Sequence, residues 1–399
     1  MAKDTLLVGL EIGTSKICAV VGEGRKDGTI HILGVGQSPS RGVRKGEIVD
    51  SGNAVQCIAD TIVDAEKKSN VEIVSVWASV TGSHIRSFNN SGTIFLPEGR
   101  NEICPEDIQD VEINAKEVNI PEENDFLHTI NQRYNVDGQE GVVNPIEMFG
   151  QKLTGDFHII HGTRTRIQNM IRCIKEAHIE VEDIVFNPLA SAEVVLTQEQ
   201  KNLGVLVLDI GGGVTDFLVY SEGVIRHTGV LAVGGDHITN DISIGLRIPM
   251  TRAEKLKLEE GSAMMGTALP GEIISLRNDS EFHGRDIERE MLNTIIHVRV
   301  KELLEYIKRE VQAEVSLQLL GAGVVITGGC SDLKGLRALA EEVFNLPVTT
   351  SRLSVDDVSG PTSAFEDPRY STAIGLVKYA YAAQNASDLP WFKRFFPWF

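Results

Sequence analysis

The chain has 399 residues, enough for two or more domains, and its 42% hydrophobic content is ordinary for a folded globular protein. A net charge of −18 excludes general nucleic-acid binding, which needs a basic footprint. Five scattered cysteines without a C-x-x-C pair suit a reducing cytosol better than a zinc or disulfide framework. No apolar run is long enough to span a bilayer, and Leu6–Leu10 has the length of a strand rather than of a secretory leader.

In chain order, the first strand runs Leu6 to Leu10. It leads into Glu11-Ile12-Gly13-Thr14-Ser15-Lys16, then into a second apolar run, Ile17 to Gly22, and a third, Ile30 to Gly36. Ser51 to Lys68 carries Val55, Ile58, Ala59, Ile62 and Val63 on one helical face. Val71 to Val80 reads as a buried strand ending at Thr81-Gly82. From Ser83 to Gly162 the texture turns polar, with Pro97, Pro105, Pro121 and Pro145. Short strands are expected there at Gly92–Leu96, His128–Ile130 and Asp156–Ile160, with a helix over Pro105–Lys116. His158 and His161 lack further ligands nearby and are expected to be structural. The segment reads as a subdomain inserted into the first half, either a partner-binding lobe or a purely structural one.

Arg164 to Ala177 is an amphipathic helix, Val181 to Phe186 a strand, and Pro188 to Leu196 a small-residue helix suited to close helix contact. Then comes the central stretch, Val205 to Tyr220. Here Asp209 closes one apolar strand and Gly211, Gly212 and Gly213 form the turn into the next. Consecutive glycines let a backbone approach a ligand closely, and their successive N–H groups can cradle an anion. Asp209 is placed to hold a metal ion through water, and Thr215 adds a hydroxyl beside the loop. The pattern is not a P-loop: it lacks G-x-x-x-x-G-K-[ST]. Taken alone it is equally an ordinary tight hairpin. The earlier stretch changes the balance, because Leu10-Glu11-Ile12-Gly13 matches Leu208-Asp209-Ile210-Gly211 and a third strand-like run follows both hairpins. Two such loops facing each other across a cleft would grip one polyphosphate, with Thr14 and Ser15 offering hydroxyls and Lys16 a cation.

Downstream, Gly235-Asp236 precedes a helix start over His237–Gly245, a favourable end for anions. Glu254 and Lys257 share a helix face, as a polar grip on a ribose or as a solvated i,i+3 ion pair. Arg285 to Gln318 is one long amphipathic pattern. The strand Gly323–Thr327 ends in Gly328 and Gly329, where a flat base can lie against bare backbone. Tyr370 to Tyr379 is a second small-residue helix.

This order of strand ends and helices resembles the actin and sugar-kinase ATPase superfamily. Within it the chain is similar to the FtsA family of bacterial cell-division actin homologues. The matching residues are Gly9-Leu10-Glu11-Ile12-Gly13-Thr14, Pro39-Ser40-Arg41-Gly42, Asp209-Ile210-Gly211-Gly212-Gly213, Ala253-Glu254, Val325-Ile326-Thr327-Gly328-Gly329 and Tyr370-Ser371-Thr372-Ala373-Ile374-Gly375. The resemblance implies an α/β, actin-like duplicated fold of two domains around a nucleotide cleft. Subdomain 1A would take residues 1–82, 163–202 and 360–381, and the inserted α+β subdomain 1C residues 83–162. Subdomain 2A would take 203–245 and 313–359, and 2B 246–312. It implies that Gly13, Thr14, Ser15, Asp209, Gly211, Gly212, Gly213, Gly328 and Gly329 bind ATP and Mg²⁺, with Glu11 a further metal contact. Partners implied are FtsZ through 2B, later division proteins through 1C, and further copies of the chain. Glu11 stands where the wider superfamily has Asp, which puts efficient hydrolysis in doubt. The competing reading is a small-molecule kinase of the same fold, for which no sugar-binding constellation is evident.

The last stretch differs from the rest. Trp391, Phe392, Phe395, Phe396, Trp398 and Phe399 are six of the chain's 23 aromatic residues and fall on one helical face, with Lys393 and Arg394 off it. Aromatic rings beside cations suit an interfacial anchor for anionic lipid. Docking of the segment into the protein's own core is the alternative, and Pro397 leaves a helix to the end open. Residues 382–388 are expected to be a polar linker. One short anchor is weak, so polymerisation is expected to supply avidity by presenting many tails. The expected place is the cytoplasmic face of the cell membrane, at the division septum.

Overall fold

The computed structural model describes residues 5–276, 278, 284–351, 357–361 and 367–387. Two sheets with the same plan organise the chain. In the first, Thr5–Ile12, Lys16–Gly24 and Ile30–Pro39 form an antiparallel meander. Ser75–Val80 and then Glu180–Phe186 add in parallel on the other side of Thr5–Ile12. In the second, Val205–Ile210, Thr215–Ser221 and Val224–Leu231 form the meander. Val324–Thr327 and then Val348–Thr350 add in parallel beside Val205–Ile210. The turns agree as well. Ile12 faces Ile17 and Ile210 faces Thr215 across four-residue turns. Each turn is closed by the same bond, Gly13 N–H to Lys16 O at 3.0 Å and Gly211 N–H to Val214 O at 2.9 Å.

Strands buried on both faces read as continuous apolar runs, and Val205–Ile210 is buried at every position. One core joins the first sheet to the helices Ser51–Ser69, Arg164–Glu176, Asn187–Val195 and Ser371–Ser387. Another joins the second sheet to Gly235–Leu246, Arg289–Glu314 and Leu336–Phe344. Asp50 caps Ser51–Ser69 by accepting the Asn53 N–H at 3.1 Å. The two small-residue helices touch backbone to backbone: a Cβ on Gly375 would lie 1.9 Å from Ala190 O.

The inserted segment has its own sheet, in the order Arg86–Phe95, Lys152–Thr163, Asn124–Val136, Gln139–Val142, covered by the helix Pro105–Ala115. Its core includes Ile108, Val111, Tyr134, Leu153 and Phe157. These strands are much longer than the sequence suggests, because in Asn124–Val136 only alternate residues are buried and the polar outward ones mask the run. The segment also packs on the second sheet. His158 is fully buried there, bonded to Asn89 Oδ1 at 2.8 Å and Thr228 Oγ1 at 2.9 Å, and the Ser87 hydroxyl donates to Thr228 O at 2.8 Å. His158 is thus a satisfied structural residue of an internal contact.

Three other expectations differ from the structure. The strand read over Val71–Val80 begins only at Ser75. The pattern over Arg285–Gln318 is interrupted: Arg285–Glu288 is a strand paired with Ile273–Leu276, and the helix is Arg289–Glu314. Residues 382–387, read as linker, continue the helix Ser371–Ser387, since Ala382 and Ala383 favour it and no breaker intervenes. The aromatic tail 391–399 lies outside the described residues. Among those described, no helix is long and apolar enough to cross a membrane.

Candidate functional site

The two glycine turns face each other across a cavity of about 430 Å³. Glu11, Gly13, Thr14, Ser15 and Lys16 line it from the first sheet. Asp209, Gly211, Gly212, Gly213 and Asp216 line it from the second, with Gly328 and Gly329 beside them. The approach of the loops explains the glycines. A Cβ on Gly212 would lie 2.0 Å from Ser15 Oγ, and one on Gly213 would lie 2.5 Å from Thr14 Oγ1. Gly328 has φ +86°, and a Cβ there would meet Asp209 Oδ1 at 2.3 Å. Among the described residues, the amides of Thr14, Ser15, Gly212 and Gly213 have no backbone acceptor. Such a concave set of free donors suits an anion.

The acidic side is crowded. Asp209 and Asp216 are cross-strand partners. Asp209 Oδ2 accepts from Thr372 Oγ1 at 3.0 Å, and Asp216 accepts from Thr81 Oγ1. Burial, reinforced by Glu11, pushes Asp209 up to about 6. Burial and the Asp209 charge raise Asp216 well above the ordinary carboxylate range. Lys16 Nζ lies 2.7 Å from Glu11 Oε2. Burial alone would lower the Lys16 ammonium, but Glu11 together with Cys18 and Asp209 outweighs it and the pKa stays raised.

The structure keeps four of the predicted residues off the cavity wall. Thr215 is fully buried and its hydroxyl donates to Val233 O at 2.8 Å, because the strand turns it inward. Gly235 braces the loop from behind, N–H to Gly211 O at 2.9 Å. Glu254 and Lys257 form an ion pair at 2.7 Å. Lys257 is buried and donates to Gly235 O at 3.1 Å and Thr239 Oγ1 at 2.9 Å.

Lining residues to which the sequence reading gave no ligand role include Thr81, Asn187, Asp216 and Thr372. Asp216 carried a signal, an acid in an otherwise apolar strand opposite Asp209. Asn187 opens a helix next to Pro188, and its buried Oδ1 has no hydrogen-bond partner among the described residues.

The residues fit Mg²⁺ with a nucleotide phosphate. Carboxylates and hydroxyls are the hard oxygen donors this ion prefers. Asp209 and Asp216 repel each other when both are ionised, and Asn187 Oδ1 is an acceptor awaiting a donor or an ion-bound water. Among the described residues no three His, Cys, Asp or Glu side chains converge to hold an ion directly.

Comparison with solved structures gives this architecture the actin-like fold. The PilM–PilN type IV pilus biogenesis complex matches with TM-score 0.68 at 14% identity, over 94% of this chain and 98% of that one. MreB5 of Spiroplasma citri bound to AMPPNP matches with TM-score 0.56 at 14% identity, over 97% and 99%. At such identities the likeness is one of fold. Sequence narrows it further. Residues 206–375 match the family model "Cell division protein FtsA", and residues 82–161 match "SHS2 domain inserted in FTSA". Cell division protein FtsA of Pseudomonas aeruginosa is 39% identical over 95% of this chain and 90% of its own length. That of Escherichia coli K12 is 34% identical over 98% and 97%. The chain belongs to the FtsA family of actin-like cell-division proteins.

Proposed function

We propose that this chain is an ATP-binding tether of the division machinery. It polymerises on the cytoplasmic face of the membrane, holds FtsZ filaments there and recruits later division proteins. The observation that carries the nucleotide reading is the pair of glycine turns packed so closely that a Cβ on Gly212 would meet Ser15 Oγ at 2.0 Å and one on Gly213 would meet Thr14 Oγ1 at 2.5 Å. In this reading the amides of Thr14, Ser15, Gly212 and Gly213 orient the phosphates, and the hydroxyls of Thr14 and Ser15 bond them. Gly328 and Gly329 offer bare backbone to the base. Glu11 and Asp209 hold Mg²⁺ through water. When bound, the ion neutralises phosphate charge and polarises the terminal phosphoryl group. Asn187 Oδ1 accepts from a water in the cavity and orients it.

The FtsZ contact is assigned to residues 246–312, where Met250, Leu258, Leu269, Met291 and Val298 are exposed. Residues 83–162 are assigned to later division proteins and to filament contacts. Trp391, Phe392, Lys393, Arg394, Phe395, Phe396, Trp398 and Phe399 are assigned to anionic lipid.

The test is co-sedimentation with anionic liposomes, with and without ATP, for the full chain and for one ending at Asp388. The full chain alone should pellet, and more so with ATP. Equal lipid binding by the shortened chain would remove the tether reading.

A further inference from the structure

Beside the two glycine turns lies a second cavity, of about 250 Å³, lined by Thr14, Arg44, Lys45, Gly213, Asp236, His237 and Asn240. Thr14 and Gly213 line both cavities, so the two adjoin at the same two loops. We propose that it is a second anion site, taking inorganic phosphate between Lys45, Arg44 and His237.

The hairpin that carries the two cations is tied to the first loop. Val43 pairs with Ile48 and Arg44 with Glu47, leaving Lys45 and Gly46 as a two-residue turn with φ +52° and +76°. That is the mirror-image turn that suits a tight hairpin, and at its first position Asn, Asp or Gly is the usual choice. A lysine there adopts a left-handed conformation that its Cβ disfavours, so a charge at this point replaces a better turn residue. Gly46 N–H donates to Thr14 Oγ1 at 3.2 Å, which fixes the hairpin against the loop and leaves the Thr14 proton free to donate.

The donors suit an anion in number and kind. Among the described residues neither Arg44 nor Lys45 has an acidic side chain within ion-pair distance, in a chain of net charge −18. His237 Nδ1 accepts the Gly234 N–H at 3.1 Å, so its proton sits on Nε2 and can be donated. Burial and the nearby Lys45 and Arg299 cations hold this imidazole below its ordinary value, which keeps it a neutral donor near pH 7. Asn240 adds an amide, and the helix Gly235–Leu246 starts at the wall. Asp236 is the carboxylate among the lining residues, and Lys257 acts on it as a counter-charge.

The test is calorimetric titration of inorganic phosphate into the full chain saturated with Mg-ADP, with sodium chloride as the ionic-strength control. It rests on the nucleotide reading only for the ADP that fills the main cavity. Wild type should bind one phosphate saturably. Lys45→Asn keeps the turn and removes the charge. It should weaken phosphate at least about tenfold, the loss expected for one charge-assisted bond, while ADP still binds. Arg44→Gln, outside the turn, should weaken phosphate in the same direction. Absence of saturable phosphate binding in the wild type overturns the inference. So does unchanged affinity in both variants, which would put phosphate in the main cavity. Failure of ADP to bind would instead count against the nucleotide reading. Phosphate titrated into the nucleotide-free chain, with the same two variants, then decides the second site by itself.

Discussion

Asp209→Asn should stabilise the nucleotide-free protein while weakening its hold on Mg-ATP. Asp209 is buried between the two sheets, and its carboxyl is raised from 3.8 to about 6 by burial and by Glu11. The sign follows from linkage. Below pH 3.8 both folded and unfolded chains carry the proton, so there is no penalty. Between 3.8 and about 6 the unfolded chain ionises first, and stability falls as pH rises. Above about 6 the penalty is complete, and at 1.36 kcal/mol per pH unit it amounts to about 3 kcal/mol. Asparagine is nearly isosteric and uncharged. It can still accept from Thr372, and its amide gains acidic neighbours as acceptors. At ~2.1 cal/mol/K of unfolding entropy per residue, a chain of 399 residues converts 3 kcal/mol into a rise in melting temperature of about 3–4 °C. The assay is thermal unfolding of both proteins without nucleotide at pH 7.5 and pH 5, with Mg-ATP affinity measured at pH 7.5. The gain should be largest at pH 7.5 and shrink at pH 5, where the wild type holds its proton. A variant less stable at pH 7.5, or a difference that ignores pH, would refute the electrostatic account of this site.

Gly213→Ala places a methyl 2.5 Å from Thr14 Oγ1, so the Thr14 side chain must shift; circular dichroism should stay native while ATP affinity drops about tenfold or more, within the ~1–3 kcal/mol cost of overpacking. Gly375→Val drives a side chain into Ala190 O, 1.9 Å from where its Cβ would stand. It should cost at least about 1–3 kcal/mol and lower the melting temperature measurably. An unchanged melting curve would mean the two helices are not held backbone to backbone.

Some of this protein was legible without coordinates because the cause is local. A glycine turn between two buried strands is a short-range pattern. Its second copy revealed a duplicated plan whose turns close with the same hydrogen bond. The small residues around Ala190 and Gly375 likewise announced close helix contact. The strands of the inserted segment were under-read because half of their residues face polar surroundings. What tertiary structure decided depends on residues far apart in the chain. Thr81 meets Asp216 across 135 positions and Thr372 meets Asp209 across 163, and no periodicity records such pairs. Lys257 reads in sequence as a grip on a ribose with Glu254 or as half of a solvated ion pair, yet the packing of its helix on Gly235–Leu246 buries the ammonium against Gly235 O. The sequence by itself determined the two turns and the plan they share. Only folding decided which acids and hydroxyls gather between them, because a pKa and a cavity wall depend on neighbours that the linear chain does not place together.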